Sequence, residues 1–353
     1  MRTEYYITMD THCRTTDACV KTRLGKLVKR EHRSTAIPQL RELIESVPHP
    51  RYLAFEEGTL AGWLYRNLKS CADATIVCDP RRNGYVSRDG DKDDAIDAEK
   101  LNPGAPGYRG GLLRGVHQKD TAEKAAVKQV IGMYHDRVGR RVAEALQLIS
   151  LGKRWGLLLR KADLDASDAP KALAERFTAT QAPSAVLSLV EDLLGGYRQF
   201  VTQEARLYKE VCDQAKADKM MQRAADLPGY GPVRSATLIC YLDTPWRFQR
   251  KSALGKYVGI GLKRQSSGTG PEIINVEQQC NHLLRNMVIG AARSAIEQKE
   301  NVFARRYQRW LKAGLSPRNA RRTLAREQVT AIWGMWKSDT AFDPGLLAET
   351  ETE

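Results

Sequence analysis

The sequence predicts an α/β N-terminal domain, a coiled-coil middle region and a mostly helical C-terminal domain. Three observations support this division. Short β-prone runs alternate with helical patterns in residues 1–115, heptad-like apolar spacing occupies residues 118–215, and residues 224–345 are helical and basic. We therefore divide the 353-residue chain into domains at 1–115, 116–218 and 219–353.

The composition favours a protein that binds a polyanion. The chain has 56 Lys and Arg residues against 42 Asp and Glu residues, a net charge of +14. Nucleic acid is preferred over an anionic membrane, because amphipathic anchors and lipidation signals are missing from the sequence. No apolar run approaches the roughly 20 residues that span a bilayer, and the first residues lack a signal-peptide pattern. We therefore expect no membrane association. The seven cysteines form no C-x-x-C pair, so we expect reduced thiols in a cytoplasmic protein.

The N-terminal domain reads as three strands followed by helix, strand, helix and strand. The predicted strands are at 5–9, 18–20, 26–28, 52–55 and 74–78, and the predicted helices are at 36–46 and 60–69. A Gly- and Pro-rich stretch at 102–115 is predicted to be a domain linker. This order of elements is that of a ribonuclease H-like fold, although other α/β folds share parts of it.

Four carboxylates occupy positions that a sheet can bring together. Asp10 ends the first strand and Glu56 ends the fourth, whereas Asp94 and Asp97 share one face at a predicted helix start. Four oxygen donors at the carboxyl edge of a sheet would suit Mg²⁺, and a pair of such ions can hold the oxygens of a phosphodiester. The alternative is that these acids only cap helices and complement helix dipoles.

The middle region has the a/d spacing of a coiled coil in two segments. The spaced positions are Val127, Ile131, Tyr134, Val138, Arg141, Ala145 and Leu148, and then Leu187, Val190, Leu194, Tyr197, Val201, Glu204, Tyr208 and Val211. Two such helices predict an antiparallel hairpin or a pair that meets a partner chain. An ordinary amphipathic bundle is the alternative.

The C-terminal region contains two features typical of phosphate binding. The segment Pro228-Gly229-Tyr230-Gly231 resembles the hairpin of a helix-hairpin-helix element, in which Gly229 and Gly231 would let a phosphate approach the backbone. An ordinary interhelical turn is the alternative. Residues 299–326 hold nine basic residues and one acid, with aromatic residues between the charges. We predict phosphate contacts for Arg305, Arg309, Arg318, Arg322 and Arg326, and a solvated basic face is the alternative.

Together these residues resemble one family, the DEDD transposases of the insertion-sequence one-ten class, which are relatives of Piv-type DNA invertases. The resemblance extends over residues 5–345. Asp10 and Glu56 match the first two family carboxylates, and the segment Lys92–Ala98 matches the paired aspartates as Asp94 and Asp97. An alternative register pairs Asp91 with Asp94.

The C-terminal motifs of the family also have counterparts. These are Pro228–Gly231, Arg247-Phe248, Tyr257–Gly261, Ser267-Gly268 and Asn281–Arg285, and the last adds Arg285 to the predicted nucleic-acid contacts. Cys280 stands where a Gly is usual, and Glu57 replaces a small residue. The small-residue loop at 265–270, taken alone, would be only a loop.

The resemblance implies a RuvC-like N-terminal catalytic domain and a C-terminal transposase domain. It implies a site-specific DNA recombinase that moves its own insertion sequence, with a bound bridge RNA that specifies donor and target DNA. Ser267, or Ser266 as the alternative, would be the nucleophile of a covalent phosphoserine intermediate. Asp10, Glu56, Asp94 and Asp97 would bind Mg²⁺. Dimers and tetramers on the prokaryotic nucleoid are also implied.

Two other functions are compatible with the same residues. One is a RuvC-like nuclease that uses the carboxylates and water without a covalent intermediate. The other is a non-catalytic nucleic-acid-binding protein.

Overall fold

The computed structural model describes residues 3–79, 115–119, 121–265, 273–276, 278–298 and 300–347. The chain divides into two compact units, Met1–Ala125 and Ala126–Glu353. The first is built on a five-stranded sheet and the second is mostly helical, which confirms the predicted mixture of α/β and all-α architecture. The middle helices and the C-terminal helices share the second unit, and the predicted division into three domains stays a prediction.

The N-terminal sheet has the strand order β3-β2-β1-β4-β5. The strands β1, β2 and β3 pair antiparallel, and β4 pairs parallel with both β1 and β5. Between strands come α1, α2 and a short 3-10 helix, so the predicted order of strands and helices is confirmed. The strands are β1 (Tyr5–Thr11), β2 (Thr15–Thr22), β3 (Leu27–Ser34), β4 (Arg51–Glu56) and β5 (Ala74–Cys78), and the helices are α1 (Ile37–Glu45), α2 (Ala61–Leu68) and Lys69–Cys71.

One face of this sheet packs on α1 and α2. Ile7 and Met9 of β1 join Leu53 and Phe55 of β4 in a core with the apolar residues of the two helices. Because successive side chains of a strand point to opposite faces, Asp10 belongs to the face away from this core. The alternation of the strands therefore decides the face on which the predicted acids lie.

Two long helices joined by two short ones form the first part of the second unit, and the first of them begins four residues before its boundary at Ala126. These are α3 (Ala122–Arg154), α4 (Lys161–Asp165), α5 (Ala169–Ala179) and α6 (Ser184–Ala217). Arg141 of α3 hydrogen-bonds Glu204 of α6, whereas Leu148 shares a core with Leu194. Residue numbers rise along one helix as they fall along the other, so α3 and α6 form an antiparallel hairpin, one of the two predicted arrangements.

The hairpin has separate apolar cores at its two ends. At the tip, Leu148 and Leu194 pack with Phe177 of α5. At the base, Ile131 and Val211 join the core of the C-terminal helices. The tip therefore has its own core, whereas the base is continuous with the rest of the unit.

The C-terminal helices surround the largest apolar core among the described residues. Its centre includes Ile239, Leu284, Phe303 and Ile332, which are fully or almost fully buried. Within the described ranges, no helix is long and apolar enough to span a membrane. The elements are α7 (Lys219–Ala225), α8 (Gly231–Leu242), the 3-10 turn Pro245–Arg247, α9 (Lys251–Tyr257), β6 (Leu262–Gln265), β7 (Ile273–Val276), α10 (His282–Glu297), α11 (Val302–Lys312), α12 (Pro317–Ser338) and the 3-10 turn Pro344–Leu347.

Candidate carboxylate edge and arginine-lined cavity

Asp10 and Glu56 lie side by side at one edge of the N-terminal sheet. Met9 of β1 stands opposite Phe55 of β4 in a parallel pairing, and Asp10 and Glu56 are the next residues on the two strands. Neighbouring strands are about 4.8 Å apart, and in-register residues point to the same face. The two carboxylates therefore occupy adjacent positions. Asp94 and Asp97, with the alternative Asp91, lie outside the described residues.

A histidine and a second aspartate, His12 and Asp17, lie next to Asp10. His12 Nε2 lies 3.6 Å from Asp10 Oδ2, which is partly exposed. Asp17 of β2 stands directly opposite Asp10 in the antiparallel ladder and bonds to His32, with 2.9 Å between Oδ1 and Nδ1. Like charges directly opposite each other disfavour the sheet, and each of these two acids has a histidine nitrogen beside it. The sequence patterns did not single out His12 or Asp17.

Cys78 lies beside Glu56 on the other side of β4. It stands opposite Glu56 in the parallel β4–β5 pairing and is fully buried. Burial raises the pKa of the Cys78 thiol to about 12, and the negative charge of Glu56 adds to the increase. The thiol is therefore protonated at neutral pH. A protonated thiol is a poor ligand for Mg²⁺, so Cys78 does not add to the donors of this edge that suit a hard cation.

The donor chemistry of this edge fits Mg²⁺. Mg²⁺ is bound by one or two protein carboxylates together with waters and substrate phosphates, and Asp10 and Glu56 supply two hard oxygen donors. No set of three or more His, Cys, Asp or Glu residues is arranged for metal binding within the described part of the chain. The four-carboxylate site consequently depends on Asp94 and Asp97 and stays a prediction.

In the second unit, the predicted hairpin at Pro228–Gly231 is a close contact between helices. Gly229 has a φ of +89°, and a Cβ added to it would lie 2.1 Å from the carbonyl oxygen of Ala291 on α10. Its amide donates to Gln298 Oε1 at 3.0 Å, so that N–H is engaged within the protein. Gly231 begins α8 with a φ of +64°, and a Cβ there would meet no described atom within 4 Å. The close contact with α10 requires a glycine at position 229, and the phosphate contacts of both glycines stay predictions.

The motifs at 257–261 and 281–285 form one cluster. Gly259 has a φ of +76°, and a Cβ on it would lie 2.5 Å from Cys280 Sγ and 2.9 Å from Arg285 Cδ. Asn281 caps α10, because its Oδ1 accepts a hydrogen bond from the Leu284 amide at 3.1 Å. The Asn281 amide donates to the Tyr257 carbonyl at 3.0 Å. These contacts place Arg285 at the start of α10, beside the Gly259 turn.

Arg285 is one of five arginines that line a cavity between α10 and α12. The cavity has a volume of about 590 Å³. Two arginines come from α10 and three from the first turns of α12; they are Arg285, Arg293, Arg318, Arg321 and Arg322. Arg293 and Arg321 were not among the predicted contacts. Their spacing was a usable indication, since Arg293 is eight residues after Arg285 and Arg321 three after Arg318 on single helix faces.

The cavity arginines repel one another and are partly desolvated. Burial lowers the pKa of the Arg322 guanidinium, and the charges of Arg318, Arg285 and Arg326 lower it further. The Nε atoms of Arg321 and Arg326 are buried without a hydrogen-bond partner among the described residues. Burial also lowers the pKa of Arg326. A cluster of this kind stabilises a bound anion.

The other predicted arginines have different surroundings. Arg305 and Arg309 are exposed on α11 and do not line the cavity. Arg306, between them, makes two hydrogen bonds to Glu327 on α12, at 2.9 and 2.8 Å. The basic run thus contains arginines that hold two helices together and arginines that face solvent or the cavity. Ser266 and Ser267 lie outside the described residues.

Comparison with known proteins finds transposases. Residues 221–308 match the profile of a family described as "Transposase IS116/IS110/IS902 family". A "Probable family 20 transposase" from Pseudomonas aeruginosa is 24% identical over 314 residues, which are 87% of this chain and 90% of the relative. A Sinorhizobium fredii protein named as transposase y4pF/y4sB is 24% identical over 73% of this chain and 65% of its own length. The "Transposase for insertion sequence element IS1111A" from Coxiella burnetii is 26% identical over 34% of both chains.

Proposed function

We propose that this chain is an RNA-guided recombinase that cuts and rejoins DNA through a phosphoserine intermediate. The comparisons support the coarser part of this proposal, a transposase of the IS110/IS116/IS902 family. One observation carries the catalytic part of the proposal. Asp10 and Glu56 are neighbours at the carboxyl ends of two parallel strands, in a sheet with the order β3-β2-β1-β4-β5. This order and this placement of acids are those expected of a RuvC-like catalytic domain.

The carboxylates would hold Mg²⁺ together with Asp94 and Asp97. Bound there, the ion would supply positive charge to a phosphodiester during cleavage. Asp10 and Glu56 lie on the sheet face that does not pack on α1 and α2. Their oxygens are therefore not enclosed in that core and can bind an ion or a substrate. Their role is to hold that charge at a fixed place on a rigid sheet.

The proposed nucleophile is the Ser267 hydroxyl, with Ser266 as the alternative. A bond forms between Oγ and the phosphorus atom as Oγ loses its proton, the bond from phosphorus to the leaving sugar oxygen breaks, and that oxygen takes up a proton, so the number of protons is unchanged overall. The phosphoserine bond retains the energy of the phosphodiester, so a second sugar hydroxyl can displace the serine and rejoin the strands. Small neighbours such as Gly268 and Gly270 leave room for a DNA backbone.

The nucleic acids would be held mainly by the basic second unit. We propose that Gly231 at the start of α8 and the arginines of α10, α11 and α12 contact phosphates of DNA and of a guide RNA. The arginines are Arg285, Arg305, Arg309, Arg318, Arg322 and Arg326. The net charge of +14 supports a polyanionic partner. Guidance by RNA rests on the family resemblance, and RNA that copurifies with the protein and pairs with both element ends and target would test it.

Self-association into dimers and tetramers is proposed through the α3–α6 hairpin. Two of its a/d positions, Val201 and Tyr208, are 39% and 48% exposed, so the hairpin does not fully bury its own seam. A second copy of the same hairpin could cover them. Light scattering on Val201→Glu, which places a charge at the seam, is expected to show a smaller oligomer than the native protein.

A nicked suicide DNA, whose cleaved strand end cannot be rejoined, tests the chemistry. After reaction with Mg²⁺ and the matching guide RNA, protease digestion and mass spectrometry should find a nucleotide adduct on Ser267. Ser267→Ala should bind DNA without forming the adduct, and Ser266→Ala is the matched control that should still form it. Asp10→Asn should bind and fail to cut.

Other outcomes would replace the proposal. Full cleavage without any adduct would indicate a nuclease that uses water. Binding without Mg²⁺-dependent cleavage, by protein and DNA known to be correctly paired, would indicate a non-catalytic nucleic-acid-binding protein.

A further inference from the structure

We propose that the cavity between α10 and α12, which borders the start of β6 and the end of β7, binds one backbone phosphate of a nucleic-acid strand. The identity of the anion as a nucleic-acid phosphate rests on the proposed function. The presence of an oxyanion site does not, because it follows from the arginines alone. The argument combines the charge of the cavity, the state of its side chains and its position.

The charge of the cavity is unfavourable without an anion. Among the described residues that line it are five arginines and no Asp or Glu. Only Arg293 has a carboxylate partner, Glu297 at 2.9 Å, within the part of the chain that the structure describes. Arg318, Arg321 and Arg322 also stand in the first turns of α12, where the positive end of the helix dipole disfavours cations. An oxyanion would offset both the mutual repulsion and the dipole.

One of the cavity arginines has a buried donor that lacks an acceptor in the described part of the chain. Arg321 keeps a buried Nε without a hydrogen-bond partner among the described residues, although such groups are normally paired. Arg322 is partly buried, and its desolvation and then the charges of neighbouring arginines lower its pKa. Guanidinium groups match the oxygens of a phosphate in two-point hydrogen bonds. A volume of about 590 Å³ admits a phosphate with part of its flanking sugars and bridging water.

The position of the cavity connects it with the proposed nucleophile. Gly259 and Ile260, just before β6, line the cavity, and so does Gln278, just after β7. Both ends of the β6–β7 hairpin therefore border the same space, and Ser267 belongs to the segment between these strands. Ser267 follows Ile260 by seven positions, which limits the distance between their Cα atoms to about 25 Å for an extended chain.

The first test uses inorganic phosphate and the Asn286→Glu variant. Asn286 is an exposed residue of α10 that lines the cavity, so the new carboxylate would occupy the position of the anion. Native protein should gain about 3–6 °C in Tm at a phosphate concentration ten times its Kd, relative to chloride at equal ionic strength. Asn286→Glu should keep or raise the Tm in chloride and lose the response to phosphate.

Opposite results would overturn the inference. The site does not exist if phosphate leaves the native Tm unchanged at matched ionic strength. It lies elsewhere if the folded Asn286→Glu variant responds as the native protein does. Because this variant adds a partner for the arginines, it tests binding without the destabilisation that loss of a charge partner would cause.

The second test measures binding of a short single-stranded DNA as a function of salt. Arg322→Gln should weaken binding for all sequences alike and reduce the salt slope by about 0.7, the value for one phosphate contact on a single strand. Arg206→Gln is the matched control, since it removes the same charge from an exposed residue of α6. Equal slopes for Arg322→Gln, Arg206→Gln and native protein would contradict the inference.

These tests separate the inference from the proposed function. If the protein is not a recombinase, the suicide DNA gives no adduct while the phosphate-dependent rise in Tm persists. If the cavity is not a phosphate site, the adduct forms while native protein and Asn286→Glu respond identically to phosphate.

Discussion

The sheet edge and the arginine cavity differ in charge and in the way the fold builds them. Asp10 and Glu56 become neighbours through the register of two adjacent strands. The cavity arginines become neighbours only because α10 and α12 pack together. Backbone pairing fixes the first arrangement almost independently of side-chain shape, whereas the second depends on every close contact that sets the helix positions. The two acids therefore depend on the pairing of one sheet, whereas the cavity arginines depend on the packing of two helices.

The largest expected effect tests the strand register at the acidic edge. Glu56→Gln should lower the rate of DNA strand cleavage by more than about 100-fold, since even indirect partners of a metal contribute 10–100-fold. Glu57→Gln is the matched control, because it removes the same charge from the exposed residue that directly follows β4. Cleavage of a guide-matched DNA measures both variants, with binding as the check on folding. A greater loss for Glu57→Gln would show that the register at the active edge is different.

The next effect tests how closely helices pack in the basic unit. Gly229→Ala should reduce the free energy of unfolding of the second unit by about 4 kcal/mol or more, since its Cβ would collide with the Ala291 carbonyl. Gly231→Ala should cost only about 1–2 kcal/mol, the strain of a left-handed conformation without a collision. Urea unfolding followed by tryptophan fluorescence compares the two. Equal losses would show that the α8–α10 contact is looser than the structure indicates.

A smaller effect separates the two kinds of arginine in the basic run. Glu327→Gln should lower the free energy of unfolding by about 2 kcal/mol, because Arg306 would remain partly buried with a weakened partner. The salt dependence of DNA binding should not change. Arg305→Gln should do the reverse, leaving stability within about 0.5 kcal/mol and reducing the salt slope. If both variants alter only stability, α11 does not contact nucleic acid.

The smallest effect concerns Cys78 and appears at alkaline pH. The folded pKa of Cys78 is about 12, above the roughly 8.5 of an unfolded cysteine. The unfolded chain therefore loses this proton first, and stability falls as pH rises from about 8.5 towards 12, by up to about 1.4 kcal/mol per pH unit. Urea midpoints, read from thiol labelling of Cys19 at two alkaline pH values, should fall less in Cys78→Ala than in native protein. If the urea midpoint falls equally in Cys78→Ala and in native protein, the Cys78 thiol lies in a more polar environment.

The sequence predicted the features that follow from local patterns. Apolar alternation and strand ends located Asp10 and Glu56, and heptad spacing located the α3–α6 pair. It did not reveal that Gly229 presses against α10 or that Arg306 belongs to Glu327, because these contacts join segments whose approach is set by side-chain volumes in the core. Glycine in a Pro-Gly-x-Gly motif indicates a close approach, but not whether the neighbour is a phosphate or a carbonyl group.

The α3–α6 hairpin has a consequence for how such proteins can change in length. Its helices have 33 and 34 residues, about 50 Å each, and the tip has a core separate from that of the base. Adding or deleting seven residues in both helices would preserve the a/d seam and shift the tip by about 10 Å. Relatives could therefore differ by whole heptads in the length of this hairpin. The distance between tip and base would change while the residues of both cores stay the same.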